Sequence, residues 1–221
     1  MARNALRHEL HQDCERLTQV TLVDERPSAR DFNAARRAMI DSQLRTSGVN
    51  APFVIARMAA VERERFVPAE AQGYAYIDRA IALGDGRWLA APLVHGLMLQ
   101  KADPAGGEAA LLVDGGSGYL AELLRPLVAS LEVISPEEAL EKSRARKKAD
   151  LLLVDGAAEQ LPETLLSRLS DGARIISGTI EGSVTGLSHG RSVGKQASMV
   201  RFAEMGVPRL AVFDAPKGWS F

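Results

Sequence analysis

Residues 109–119 decide the fold of this 221-residue chain, and they read Ala109-Ala110-Leu111-Leu112-Val113-Asp114-Gly115-Gly116-Ser117-Gly118-Tyr119. The apolar run at 109–113 predicts a strand, and leucines at helical spacing up to Leu127 predict a helix after it. Glycines between the two let the backbone reverse sharply and approach a ligand closely. The N–H groups that open the helix favour polar or anionic ligand groups. The stretch therefore predicts a strand–turn–helix unit, which either holds a nucleotide-like cofactor or is a tight turn without a ligand.

The composition indicates an ordinary globular protein and excludes several kinds of partner and site. Hydrophobic residues make up 46% of the chain and charged residues 25%, which is typical of a globular protein with a sizeable core. The net charge is -1, so we expect neither nucleic acid nor an anionic membrane as a partner. The single cysteine, Cys14, excludes an intrachain disulfide and a cysteine-based zinc site. The four histidines are too scattered to indicate a metal site.

The N-terminal region has its own pattern. Residues 2–20 carry apolar residues near helical spacing, and residues 24–28 resemble a linker. We therefore expect a helical extension and linker at 1–30, followed by one α/β domain at 31–221. The sequence has no continuous apolar run of the length needed for a signal peptide or a membrane span, so we expect a cytoplasmic protein.

The rest of the chain divides into a helical part and an alternating part. Helices are predicted at 29–46, 51–60 and 92–100, with a loop at 80–87. From residue 109, short apolar strands at 109–113, 131–134, 151–154 and 174–177 alternate with helices at 118–127, from Pro136 to about Lys147, and at 162–169. Strands of this kind are buried on both faces, which indicates a Rossmann-like, doubly wound, mostly parallel sheet. Residues 183–193 and 198–204 predict a C-terminal antiparallel hairpin.

Several ungapped motifs in a fixed order resemble one family, the protein-L-isoaspartate O-methyltransferases. They cover roughly residues 32–180 and are Ala38-Met39-Ile40-Asp41-Ser42-Gln43-Leu44-Arg45, Val61-Glu62-Arg63-Glu64-Arg65-Phe66-Val67-Pro68, Ala75-Tyr76-Ile77-Asp78, Gly116-Ser117-Gly118-Tyr119, and the segments 157–163 and 169–175. The resemblance implies S-adenosylmethionine as cofactor, lying across the carboxyl ends of the central strands. It also implies methyl transfer to the carboxyl group of isoaspartyl or D-aspartyl residues in a protein or peptide.

The resemblance assigns the cofactor turn to six consecutive residues, Asp114, Gly115, Gly116, Ser117, Gly118 and Tyr119. Two departures from the family pattern fall here. Leu112 stands where the family carries an acid, and Asp114 replaces the first glycine, so the acid is displaced by two residues. Asp114 either contacts the cationic end of the cofactor or obstructs it.

Two further positions depart from the family pattern. The acid that binds the ribose hydroxyls at the end of the second strand is replaced by Ser135, with Glu137 close behind. Glu137 either substitutes for that acid or only stabilises a helix start. Ala90 occupies the position of a substrate-contacting hydroxyl, and His95, one helical turn later, is either its stand-in or a locally satisfied helix residue. The catalytic residue is therefore unassigned.

The largest departure is a missing edge strand. The chain passes from the segment after Pro136 to the strand at 151 without room for the extra strand and connection of the family. Its loss exposes a new sheet edge, which together with the N-terminal helix is compatible with a homodimer. Three functions follow: an active carboxyl methyltransferase, a non-catalytic scaffold that binds or assembles with partners, or a fold that binds another small ligand.

Overall fold

The computed structural model describes residues 29–142 and 147–215. The α-helices are α1 (Ala29–Met39), α2 (Pro52–Ala60), α3 (Pro92–Ala102), α4 (Tyr119–Leu124) and α5 (Glu163–Leu166). The strands are β1 (Ile81–Gly84), β2 (Arg87–Leu89), β3 (Ala109–Val113), β4 (Ser130–Ile134), β5 (Ala149–Ala158), β6 (Leu169–Glu181), β7 (Val184–Val193) and β8 (Gln196–Glu204). The predicted N-terminal extension lies outside the described residues, apart from the start of α1.

A six-stranded sheet in the order β4-β3-β5-β6-β7-β8 forms the centre of the fold. Strands β3 to β6 are parallel, and β7 and β8 continue as an antiparallel hairpin at one end. This arrangement confirms the predicted mostly parallel sheet and C-terminal hairpin. Because parallel strands end at the same edge, the segments after β3, β4 and β5 meet there.

Two hydrophobic clusters cover the two faces of the sheet. Alternate residues of β3 contribute to the two clusters, because successive side chains of a strand point to opposite faces. Leu112 packs in one cluster with residues of α3 and α4, whereas Leu111 packs in the other with Leu165 of α5 and Phe213. All five residues of β3 are buried, which explains why its sequence is a continuous apolar run.

The missing edge strand is confirmed within the described part of the chain. Among the described residues, β4 pairs only with β3, and its other side carries no strand. The helix predicted from Pro136 is wrong, since the described residues there form only a 3-10 turn at Glu138–Leu140. Arg168 donates hydrogen bonds to the carbonyl oxygens of Glu138 and Glu141, and these long-range bonds fix the chain as a turn.

The loop predicted at 80–87 is also wrong, because β1 and β2 form a small antiparallel hairpin there. Its tip contains Gly84, Asp85 and Gly86, all with positive φ angles of 90°, 51° and 74°. Glycine adopts such angles easily, so the pair that suggested an irregular loop instead builds a tight turn. Gly48, with φ 87°, ends the first helical region as predicted. No helix among the described residues is long and apolar enough to cross a membrane.

Candidate functional site: an acidic turn beside two cavities

The turn after β3 is shaped by the carboxylate of Asp114. The N–H of Gly116 donates to Asp114 Oδ2 at 3.0 Å, and the N–H of Gly118 donates to Oδ1 at 3.0 Å. The amides that could have received an anionic ligand group are therefore already bonded within the turn. α4, which follows, is only six residues long and offers little helix dipole. The sequence predicts a turn that binds anionic groups, whereas the structure shows a turn whose amides are occupied by its own carboxylate.

Gly115 and Gly116 allow other chain segments to lie unusually close to the turn. A β-carbon at Gly115 would lie 2.2 Å from the carbonyl oxygen of Asp155, in the second half of β5. A β-carbon at Gly116, where φ is 100°, would lie 2.7 Å from the side chain of Arg87. Glycine is required at both positions, because any side chain would displace the neighbouring segment.

A cavity of about 530 Å³ opens beside this turn, at the carboxyl ends of β3 and β4. Four segments line it: residues 114–116 of the turn, residues 133–137 at the end of β4, the hairpin tip at 85–87, and residues 209–212. Ligands of parallel α/β sheets bind at this edge. The structure thus brings predicted site residues of the turn and of the end of β4 around one space.

Ser135, Glu137 and Glu138 at the end of β4 have different roles, which the sequence does not assign. Ser135 and Glu138 form a reciprocal cap, in which each backbone N–H donates to the side-chain oxygen of the other residue, at 2.7 and 3.1 Å. Glu137 takes no part in this cap, and it lines the cavity. Glu138 therefore carries the local structural role, and the Glu137 carboxylate remains available to a ligand.

A second cavity, of about 610 Å³, adjoins the first. It is lined by Asp78 and Arg79, by Trp88 of β2, by Ala91, and by residues 205–209. Arg209 lines both cavities, and it is held by ion pairs with Glu159 at 2.6 Å and Asp214 at 2.7 Å. The Arg79 guanidinium stacks on Tyr74 at 5.4 Å, and Trp88 is 40% exposed, so this cavity offers both a cation and an aromatic surface.

Behind the turn lies a fully buried chain of polar side chains, Arg63–His95–Asp155. Arg63 Nη1 lies 3.4 Å from His95 Nδ1, and His95 Nε2 lies 2.9 Å from Asp155 Oδ1. A guanidinium can only donate, so Nδ1 of His95 accepts and Nε2 carries the proton that is given to Asp155. His95 therefore bridges a cation and a carboxylate, and it lines neither cavity.

Membership of a protein family follows from comparison with known sequences. Residues 34–150 match the profile of the protein-L-isoaspartate(D-aspartate) O-methyltransferases. The chain belongs to this family. A protein-L-isoaspartate O-methyltransferase of Aeropyrum pernix is 38% identical over 183 residues, which cover 68% of this chain and 70% of the relative. One from Methylorubrum populi is 31% identical, covering 65% of this chain and 79% of the relative.

Solved structures of the family share the fold. A Plasmodium falciparum protein-L-isoaspartate O-methyltransferase, solved in complex with S-adenosyl-L-homocysteine, superposes with a TM-score of 0.65 at 16% identity. The match covers 81% of this chain and 97% of that one. A second family structure gives a TM-score of 0.64 at 15% identity. The family's α/β architecture is thus retained although the edge strand is missing.

The remaining predicted residues of this isoaspartate methyltransferase family member lie deeper. Ser117 Oγ accepts from the N–H of Tyr119, and the Tyr119 ring is fully buried beneath the Arg63 guanidinium at 4.9 Å. The carbonyl oxygen of Ala90, which is itself buried, accepts from Arg63. These residues support the cavity walls and do not line either cavity.

Sequence reasoning missed Asp155 and Arg87 as members of the site. Asp155 is 4% exposed, and its second oxygen, Oδ2, has no hydrogen-bond partner among the described residues. Its position, at the end of an apolar parallel strand and just before Gly156, was the available signal. Burial, and then the charge of Asp155, raises the pKa of Asp114 above its usual range.

Proposed function

We propose that this chain transfers a methyl group from S-adenosylmethionine to the carboxyl group of isoaspartyl residues in proteins or peptides. The observation that carries the proposal is the cavity of about 530 Å³ between the Asp114 turn and Glu137. Family membership supplies the reaction class, and the cavity supplies a place for the cofactor in this chain.

The residues around the cavity fit the proposed cofactor. Its volume lies within the 300–1,000 Å³ that is usual for small-molecule sites. Gly115 and Gly116 keep the turn free of side chains, as a close-fitting ligand requires. Glu137 can accept hydrogen bonds from ribose hydroxyls, and Asp114 is suited to a cationic group. When bound, S-adenosylmethionine supplies an electrophilic methyl group on a sulfonium sulfur.

The second cavity suits the substrate. Arg79 offers a positive charge to an approaching carboxylate, and Trp88 offers an apolar surface to a neighbouring side chain. Arg209 lines both cavities. A substrate carboxyl group in the second cavity, placed beside Arg209, therefore faces the cofactor cavity. We expect the substrate to be a flexible segment, because an isoaspartyl residue must be able to enter from the surface.

The proposed reaction requires little acid–base catalysis by the protein. An isoaspartyl carboxyl group is ionised at pH 7, so it is a nucleophile without help from a general base. The contribution of the chain is to align two reactants and to exclude water from between them. His95 is buried, and its two ring nitrogens are bonded to Arg63 and Asp155. Its burial agrees with a reaction in which no titratable side chain needs to face the reacting atoms.

The non-catalytic scaffold remains the alternative, and the cavity beside the Asp114 turn favours the enzyme. Calorimetric titration with S-adenosylmethionine and S-adenosylhomocysteine tests the cofactor site, and we expect micromolar binding. Methylation of an isoaspartyl peptide, with the same peptide carrying ordinary aspartate as control, tests the reaction. Absence of heat with either ligand up to millimolar concentration would contradict the proposal. Binding without methylation of the isoaspartyl peptide would favour the alternative.

A further inference from the structure

Negative charge is concentrated behind the turn, close to the cofactor cavity. Asp155 carries an ionisable side chain that is only 1% exposed, with one oxygen bonded to His95 and the other without a hydrogen-bond partner among the described residues. Asp155 packs directly against Gly115, because its carboxyl carbon lies 3.8 Å from where a β-carbon of that glycine would be. Asp114, which precedes Gly115 in the chain, lines the cavity.

Within the described part of the chain, the buried guanidinium of Arg63 lies on the far side of His95 from Asp155. Arg63 donates to His95 and to the carbonyl oxygens of Ala75 and Ala90, and the imidazole ring lies between it and Asp155. Arg209, on the cavity wall, already pairs with Glu159 and Asp214. Arg87 lines the cavity as well, but its guanidinium lies beside Asp85.

We propose that Asp114 and Asp155 form an acidic pair that favours a cationic sulfonium methyl donor over its neutral thioether product. This inference rests on the proposed function. The donor carries one positive charge more than the product, and that charge resides at the sulfur that the reaction changes. Asp114 is the contacting residue. Asp155 packs against Gly115 and adds a second negative charge from behind the turn.

The chemical consequence concerns release of the product. After methyl transfer the sulfur is neutral. The attraction between the sulfonium charge and the two carboxylates is therefore lost. Charges in a partly buried site interact strongly because little water screens them. An acidic pair next to the turn therefore binds the donor selectively and loosens the spent cofactor. The carboxylates that interact with the donor need not take part in the bond-making step.

The test is a ratio of two affinities. Dissociation constants for S-adenosylmethionine and S-adenosylhomocysteine are measured by calorimetry on the full chain and on Asp155→Asn and Asp114→Asn. The asparagine oxygen can still accept from His95, or from Gly116 and Gly118, so both variants keep the local hydrogen bonds. We expect the preference for the donor over the product to fall about fivefold to tenfold in each variant. Asp171→Asn is the matched control, because Asp171 of β6 is exposed, accepts from the N–H of Gly194 and lines neither of the two cavities.

Each result has a defined meaning. An unchanged ratio in both folded variants overturns the inference while the proposed function stands. An equal change in the Asp171→Asn control also overturns it, because net charge alone would then explain the effect. If the parent chain binds neither ligand, the proposed function fails and the inference fails with it. Should Asp155→Asn not fold, Asp114→Asn carries the test by itself.

Discussion

His95 donates a hydrogen bond of 2.9 Å from Nε2 to Oδ1 of Asp155, and neither side chain is more than 1% exposed. A carboxylate this deeply buried depends on its partner, because it cannot recover hydrogen bonds from water. We expect His95→Ala to lower the free energy of unfolding by about 3–5 kcal/mol, since Asp155 would lose its only side-chain hydrogen bond among the described residues. Urea denaturation measures the loss. His189→Ala is the control, because that partly exposed imidazole makes no ion pair in the described chain. A similar small loss in both variants would contradict the prediction.

Gly115→Ala tests the close approach of the turn after β3 to β5. The added β-carbon would meet the Asp155 carbonyl oxygen at 2.2 Å, so the turn or this part of β5 must move. We expect a loss of about 1–3 kcal/mol in stability, together with weaker binding of S-adenosylhomocysteine. Thermal unfolding and calorimetry measure the two effects. Gly106→Ala is the matched control, because nothing lies within 4 Å of its added carbon and its φ is not positive. Unchanged stability and binding in Gly115→Ala would show that the turn moves freely.

The ion pair between Glu108 and Arg174 predicts a pH dependence of stability. Both Arg174 terminal nitrogens donate to the Glu108 carboxylate, at 2.7 and 2.8 Å. The hydrogen bonds from Arg174 hold the pKa of Glu108 below its usual range. The folded state therefore favours the ionised form. The resulting stability is fully present above the unfolded pKa of about 4.3 and is lost as pH falls through the lower folded pKa.

We expect Glu108→Gln to cost about 1–2 kcal/mol near neutral pH and much less at the acid end. Urea unfolding at a series of pH values gives the difference between parent and variant. Glu70→Gln, at an exposed position on the 3-10 segment after Pro68, is the control and should follow the parent curve. A difference that stays constant as pH falls would show that Glu108 acts through packing and not through its charge.

Glu137 and Glu138 are neighbours with opposite expected phenotypes. Glu137→Ala removes a carboxylate from the cavity wall, and we expect it to weaken binding of adenosyl ligands without lowering stability. Glu138→Ala removes the cap on the Ser135 N–H, and we expect a loss of about 1 kcal/mol in stability with little change in affinity. Calorimetry and thermal unfolding on both variants separate the roles. Weaker ligand binding in Glu138→Ala alone would reverse the assignment.

The sequence predicts the positions of the central strands well but underestimates the length of β5. β3 is found at 109–113 as predicted, because a continuous apolar run with a glycine turn after it is a local signal. β5 was predicted to end at Val154, but it continues to Ala158. The extension depends on distant partners, since the N–H of Ala157 donates to the Pro208 carbonyl and that of Leu210 to the Ala157 carbonyl. Periodicity within a short window carries no information about such pairing.

The site shows the same division between local and distant information. The bonds from Gly116 and Gly118 to Asp114 span two and four residues, and aspartate at the start of a glycine turn favours such bonds. His95 and Asp155 are 60 residues apart, and only the packing of α3 on the sheet brings them together. Sequence patterns could therefore indicate where a ligand would lie, but not which buried charges stand behind that place.

The carboxylate of Asp114 has a consequence for the entropy of binding. A glycine-rich turn is among the most flexible pieces of chain before folding, since glycine loses more backbone freedom than other residues. Here the hydrogen bonds to the carboxylate fix that freedom within the folded chain itself. A ligand that enters the cavity therefore does not have to order the turn, and its affinity is not reduced by that entropic cost.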